Sequence, residues 1–357
     1  MTGWLKVRRQ NMLPREPGRV GISLIIALRN EEVNVERLAM VLSAIEYPRD
    51  RFEIILINDH SVDSTASLLR TCTRDIPSVR VLDLPDGQEG KKKALLYAIQ
   101  QSRFEIIMTT DADCHFSKNL LLCAASYYAD PNNKMVVGAV KLVKDFKPGE
   151  GYSFFSRLQI VEFMSLVGTS AAAIGLGHPV MCNGANLSFR KETFFEVGGY
   201  GGNLEIASGD DEFLMRKINR LYPGSIRFLN YYEAVVSSTT QKTFTDFFNQ
   251  RLRWAGKWRH NSDRVAQLLA VFILVAQTAY LAALAMTIFS KLTPSPFLLL
   301  KTFLEWIFLL WVARFLNRRF DVLSFAVLQI FYPPYVFAVG VLSFFTPYHW
   351  KSRNYKQ

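Results

Sequence analysis

Between residues 22 and 140 short apolar runs alternate with stretches whose apolar positions recur at helical spacing. Ile22-Ser23-Leu24-Ile25-Ile26-Ala27-Leu28 predicts a buried strand. Asn30-Glu31-Glu32 is suited to capping a following helix that carries Val33, Leu38, Val41, Leu42 and Ile45, and Tyr47-Pro48 ends it. The alternation continues through a strand at 52–57, the turn Asn58-Asp59-His60-Ser61, a helix at 63–74, a strand at 79–84, a helix at 92–101 and a strand at 104–109. Strands alternating with helices predict an α/β fold with a mostly parallel sheet of right-handed βαβ units. A helix at 118–128, a strand at 135–140 and a helix at 213–221 extend it.

Longer apolar stretches follow. Residues 151–174 carry only Arg157 and Glu162 as charges, which suits either a core helix or a helix on a membrane face. Residues 243–260 read as an aromatic and basic helix containing Gln250-Arg251-Leu252-Arg253-Trp254, with Lys257, Trp258 and Arg259 just beyond. Gln250, Arg253 and Trp254 share one face of it. Residues 265–290 contain no charge, and at 1.5 Å per residue they reach roughly 39 Å, enough to cross a hydrocarbon core of about 30 Å. Residues 297–315 form a second candidate span despite Lys301, Glu305 and Arg314, and 322–345 a third, interrupted by Pro333-Pro334. The loop 314–319 and the tail 351–356 are both basic. With the α/β domain in the cytoplasm, three full spans place the tail outside, against the positive-inside tendency, so the Pro333-Pro334 segment is expected to be re-entrant or interfacial, an outside tail being the alternative. The expected division is a basic N-terminal segment at 1–20, an α/β domain at 21–260, a membrane region at 264–346 and a basic tail at 347–357.

Composition agrees with a soluble domain joined to membrane segments: the chain has 357 residues, 50% of them hydrophobic, and a net charge of +11. Without a nucleic-acid-binding signature, the basic balance points to an anionic membrane surface. Cys72, Cys114, Cys123 and Cys182 are widely spaced with no CxxC, which argues against zinc sites and a disulfide framework and for a reducing compartment. Residues 1–20 lack the apolar core of a signal peptide. No GxGxxG follows the first strand and no P-loop motif occurs.

The chemistry-bearing stretch is Thr109-Thr110-Asp111-Ala112-Asp113-Cys114, at the carboxyl end of a predicted strand, where open α/β sheets bind ligands. Two carboxylates one residue apart can hold a hard divalent cation that keeps positions open for phosphate oxygens. A second acidic cluster, Gly209-Asp210-Asp211-Glu212, heads a helix, where helix-dipole capping is the plainer explanation.

Taken in order, Ala27-Leu28-Arg29-Asn30-Glu31, Asn58-Asp59-His60-Ser61-Val62-Asp63, Gly90-Lys91, Thr110-Asp111-Ala112-Asp113, Asn183-Gly184-Ala185-Asn186, Gly209-Asp210-Asp211 and Gln250-Arg251-Leu252-Arg253-Trp254 resemble the membrane-bound family 2 glycosyltransferases. That family has a GT-A nucleotide-sugar fold and includes cellulose, hyaluronan and chitin synthases and ceramide glucosyltransferase. The resemblance implies that Asp59 recognises the nucleotide base beside Asn30 and Glu31, that Lys91 contacts the diphosphate, and that Asp111 and Asp113 (the DXD motif) hold Mg²⁺ or Mn²⁺. Lys92 and Lys93 are expected to form a solvated face. Asp211 matches the catalytic base, with Asp210 where the family more often has Glu, so the two aspartates could exchange roles. Gly184, Gln250 and Trp254 would face the acceptor, and Arg253 would support the diphosphate (the QxxRW motif). Many relatives carry a transmembrane helix before the catalytic domain, and this sequence is expected to be a shorter form or to have lost it.

The expected function is an inverting, metal-dependent hexosyl transfer from a UDP-sugar to a lipid or glycan acceptor by an integral membrane protein of the inner or plasma membrane, without nucleic acid. A processive β-glycan synthase is the second reading and an inactive nucleotide-sugar-binding subunit the third.

Overall fold

The structure is a computed structural model. It describes residues 1–7, 14, 20–146, 151–202, 209–256, 263–289, 295–343 and 345, and the backbone of 348–350 and 353–355. Its elements run α1 (Thr2–Lys6), β1 (Ile22–Leu28), α2 (Glu32–Ser43), β2 (Phe52–Asn58), α3 (Thr65–Cys72), β3 (Val79–Asp83), α4 (Lys91–Gln101), β4 (Ile106–Thr109), α5 (Leu120–Tyr127), β5 (Met135–Gly138), β6 (Val140–Val143), α6 (Phe154–Gly175), β7 (Leu187–Arg190), α7 (Lys191–Glu196), α8 (Asp210–Leu221), β8 (Ile226–Leu229), β9 (Val236–Thr239) and α9 (Phe244–Gly256). Three long helices follow, α10 (Arg264–Phe289), α11 (Pro296–Phe315) and α12 (Val322–Leu342), and then a short hairpin. Two compact units result, one from residues 2–141 and 170–239, the other from 142–169 and 240–357.

The first unit is built on a seven-stranded sheet in the order β3-β2-β1-β4-β7-β5-β8. β3, β2, β1 and β4 are parallel, so their carboxyl ends share one edge. β7 runs antiparallel to β4, with Leu187 opposite Thr109, so the chain reaches that same edge on its way into β7. Every residue of β2 is buried, as its unbroken apolar run predicts for a central parallel strand. The predicted strand at 135–140 divides into β5 and β6 at Ala139. The amide of buried Asn186 fills the space over Gly138 and donates to the Ala139 and Ala234 carbonyls. At the opposite edge Glu53 is fully buried and accepts from the Ser23 hydroxyl, the Arg103 amide, and the Arg80 and Arg103 guanidiniums.

The second unit is helical. α9 joins it instead of the α/β unit, and so do residues 142–169, which moves the boundary from the expected position near residue 260. The reason is a buried ion pair: Arg251 of α9 donates from Nε and Nη2 to the two carboxylate oxygens of Glu162, at 3.1 and 2.6 Å. Phe155 packs edge-on against Phe247 beside it. Among the described residues, four helices are long and apolar enough to cross a membrane: α6, α10, α11 and α12. α6 is 56% buried against 6% for α10, so α6 matches the core-helix expectation more closely. α12 continues through Pro333 and Pro334 as a 21-residue helix of spanning length, where a broken segment was expected. Two missing N–H groups cost it two ladder bonds without ending it. Of the basic N-terminal segment, Arg8, Arg9, Arg15 and Arg19 lie outside the described residues, as do Lys257, Trp258 and Arg259.

Candidate active site at the carboxyl edge of the sheet

The loops after β1 and β2 lock together. Asn30 and His60 both have φ of 51°, a left-handed conformation that asparagine tolerates better than most residues. Asn30 therefore does not cap α2. Its side chain accepts from the Val62 amide, and its own amide donates to the Ser61 hydroxyl. Arg29 donates to the carbonyls of Asp59 and His60, and the Glu31 amide donates to the Thr65 hydroxyl. The Glu31 carboxylate accepts from Asn34.

Asp59 is buried at the end of β2, and both of its carboxylate oxygens face the Gly90 amide, at 3.2 and 3.1 Å. Gly90 has φ of 99°, a backbone state that favours glycine, and it starts α4. The next residue, Lys91, places Nζ 2.6 Å from Asp111 Oδ1. Burial acts to lower the Lys91 pKa, but Asp111, Asp210 and Asp211 together hold it above the usual lysine value, so it is a fixed positive charge. One relay of contacts thus runs from Asp59 through Gly90 and Lys91 to the first acid of the pair.

Asp111, Asp113 and Cys114 place their ligand atoms within 4.8 Å of one another. Burial, with Asp113 and Asp111 adding to it, pushes the Cys114 thiol well up, and the thiol donates to Asp113 Oδ1 at 3.7 Å. The two partly exposed carboxylates are a hard oxygen set that fits Mg²⁺ or Mn²⁺ with positions left open.

Across the edge, the Thr109 hydroxyl donates to the Gly184 carbonyl at 2.8 Å, and the Gly184 amide donates to Asp211 Oδ2 at 2.9 Å. Asp211 Oδ1 accepts from the Glu212 amide, so both of its oxygens have fixed directions. A Cβ on Gly184 would sit 3.6 Å from Asp210 Oδ2, so this loop lies against both acids. Removal from water raises the Asp210 pKa; Lys91 opposes the rise and Asp211 adds to it. Burial and then the same two acids push up the hydroxyl of Tyr200, delivered by the Gly-rich stretch.

Asn30, Glu31, Asp59, Lys91, Asp111, Asp113, Gly184, Asp210 and Asp211 therefore all belong to the α/β unit, and the carboxyl edge organises them. Lys92 corrects the expectation of a solvated face. It is 4% exposed, with Nζ 5.3 Å from the centre of the Phe213 ring, close enough to Asp210 to oppose the rise in its pKa. Its position in one stripe with Leu95 and Ile99 was the available signal. Thr109 opens the chemistry-bearing stretch, but its positioning bond to Gly184 was not legible, because the partner lies 75 positions away.

Gln250, Arg253 and Trp254 lie on α9, in the helical unit. There the residue between them organises the motif: Arg251 is 4% exposed, donates to Gln250 Oε1 at 2.6 Å and stacks 4.3 Å from the Trp254 ring centre.

The Glycosyl transferase family 2 model matches residues 23–185, and the Glycosyl transferase family group 2 model matches 106–341, more than half of the chain. The Beta-monoglucosyldiacylglycerol synthase of Nostoc sp. is 26% identical over 66% of this chain and 48% of its own length. The Poly-beta-1,6-N-acetyl-D-glucosamine synthase of Staphylococcus aureus is also 26% identical, over 66% of this chain and 54% of its own length. The chain thus spans about half the length of these curated relatives. The fold is similar to that of a mannosyltransferase from Pyrobaculum calidifontis, solved in complex with GDP-Man and Mn²⁺, with a TM-score of 0.61 at 17% identity, covering 96% of this chain and 92% of that one. With the α/β sheet, the ordered acidic motifs and these matches together, the chain belongs to the family 2 glycosyltransferases.

Proposed function

We propose that the chain is an inverting, metal-dependent hexosyltransferase that moves a sugar from a UDP-sugar to a lipid acceptor at the inner face of a membrane, its apolar helices crossing the bilayer and its α/β unit in the cytoplasm. The observation that carries this reading is the Thr109–Gly184–Asp211 chain of bonds, which fixes one carboxylate relative to the strand end bearing Asp111 and Asp113.

Asp59, with Asn30 and Glu31 beside it, reads the nucleotide base, and Lys91 binds diphosphate oxygens. A divalent cation on Asp111 and Asp113 supplies, when bound, positive charge against that developing on the leaving nucleoside diphosphate. Asp211 accepts the proton of an acceptor hydroxyl as that oxygen bonds to the anomeric carbon from the face opposite the diphosphate, whose bond to the sugar breaks. Both carboxylate oxygens of Asp211 have directions fixed by the Gly184 and Glu212 amides, which favours Asp211 over Asp210 for the role. Arg253 supports the diphosphate, and Gln250, Trp254 and Gly184 face the acceptor.

Asp211→Asn is expected to lower transfer roughly 10³-fold while UDP binding in Mn²⁺ survives; unchanged turnover would remove Asp211 from the role of base. The similarity to the Staphylococcus aureus synthase favours a second reading, a processive β-glycan synthase. Product mass decides between the two: a single glycolipid supports the first reading, a ladder of polymer lengths the second.

A further inference from the structure

Within the helical unit lies a half-open cavity of about 200 Å³ lined by α6, α10, α11 and α12. Part of its wall is apolar, from Ile273, Phe308, Leu309 and Phe325. The wall also carries Glu162, Gln277, Lys301, Glu305 and Gln329, polar residues in helices otherwise apolar enough to cross a membrane. Ionisable groups at such depth are costly and mark functional sites unless they serve only one another. Lys301 Nζ lies 2.9 Å from both Glu305 Oε2 and Gln329 Oε1, and Gln329 donates to Glu305 at 3.0 Å. Glu162, also in the wall, is bonded twice to Arg251. Each wall carboxylate is therefore paired with a cation, and the lining is close to neutral.

One polar atom of the wall has no counterpart. Gln277 Oε1, on α10, is buried and without a hydrogen-bond partner. An amide oxygen in that position calls for a donor. A phosphate offers none when fully ionised, and it would meet two carboxylates whose cations are already engaged. A hydroxyl donates to Gln277 and can accept in turn, and an apolar chain beyond it suits the Phe308, Leu309 and Phe325 side. The volume is that of roughly seven waters at about 30 Å³ each, room for a small head group.

We propose that this cavity binds the uncharged, hydroxyl-bearing head of a membrane lipid, with the hydroxyl donating to Gln277. The site rests on the membrane placement proposed above, but not on the identity of the sugar acceptor. It reaches the Gln250–Trp254 helix through Glu162, which lines the cavity on one side and clamps Arg251 on the other.

The test uses the full chain in phosphatidylcholine nanodiscs with a photoreactive diacylglycerol as probe, the labelled peptides being located by mass spectrometry. Failure to enter nanodiscs would sink the membrane placement and is seen before any labelling. In incorporated protein, label is expected on peptides containing Gln277, Leu309 or Phe325, displaced by dioleoylglycerol but neither by trioleoylglycerol, which lacks the hydroxyl, nor by phosphatidic acid. Gln277→Leu, which needs no new polar contact to fold, is expected to weaken labelling roughly tenfold. Leu309→Trp, which fills the cavity from its apolar wall, should abolish it. Equal displacement by trioleoylglycerol or phosphatidic acid, full labelling of monodisperse Gln277→Leu, or label confined to the outer face of α10 would each overturn the proposal; the cavity would then hold water alone.

Discussion

At the scale of single residues, the two edges of the sheet separate stability from chemistry. Glu53 sits at the edge away from the candidate site. Burial alone would raise its pKa, but hydrogen bonds from Arg103, Ser23 and Arg80 overrule it and hold the carboxyl below its ordinary 4.5. A carboxylate with a lowered folded pKa contributes stability that is present above the unfolded value and is lost as pH falls through the folded one. Glu53→Gln should therefore lower the melting temperature at pH 7, and the gap to the parent protein should narrow as pH falls below 4.5 and close once the lowered folded pKa is passed. A gap independent of pH would mean that the carboxylate's charge is not what stabilises the sheet. Gly90 is the matching residue at the reactive edge. Its positive φ and its bond to Asp59 set the direction of Lys91, so Gly90→Ala should weaken UDP binding more than it weakens folding, as read by calorimetric titration beside thermal melting.

At the scale of elements, β4 and the loop before β7 act together through one hydroxyl. Thr109→Val keeps the shape of the side chain and removes its donor to Gly184. We expect kcat to fall about tenfold with little change in donor KM, since Asp211 would lose its alignment while Lys91 and Asp111 keep theirs. A rise in donor KM at constant kcat would instead place Thr109 in nucleotide binding. α9 shows the same economy in the other unit. Glu162→Ala would strand the buried Arg251 guanidinium and should cost about 3–5 kcal/mol of stability, measured by denaturation in detergent, with the double variant Glu162→Ala, Arg251→Met recovering part of it. The strands and helices of the α/β unit were legible from alternation because each buries a continuous apolar run or stripe. The role of Arg251 was not: its partner lies 89 positions away, and no local pattern couples residues so far apart. For a similar reason Lys92 was misread, since a run of three lysines suggests solvent until the Phe213 ring is seen against one of them.

At the scale of the whole chain, the sequence order does not follow the two compact units. The series of acidic motifs was readable because each stands at a strand end or a helix start, and a parallel sheet gathers such ends on one edge. The division into units was not, because residues 142–169 leave the α/β unit before it is finished and rejoin the chain's last third. α10 exposes Leu268, Phe272, Val275, Ile288 and Phe289, a run of large apolar side chains of the kind that marks a contact with membrane or another protein. The protein should therefore stay in the membrane pellet after alkaline extraction and come out in detergent; release by alkali alone would contradict the proposed spans.

The Glu162–Arg251 clamp also sets a schedule for biogenesis. A ribosome adding about 5–20 residues per second delivers Arg251 some 4–18 seconds after Glu162. Through that interval a helix apolar enough for a bilayer carries a carboxylate whose cationic partner has not yet been made. A nascent chain paused anywhere in that window is a natural client for a holding chaperone, and it stops being one when α9 emerges.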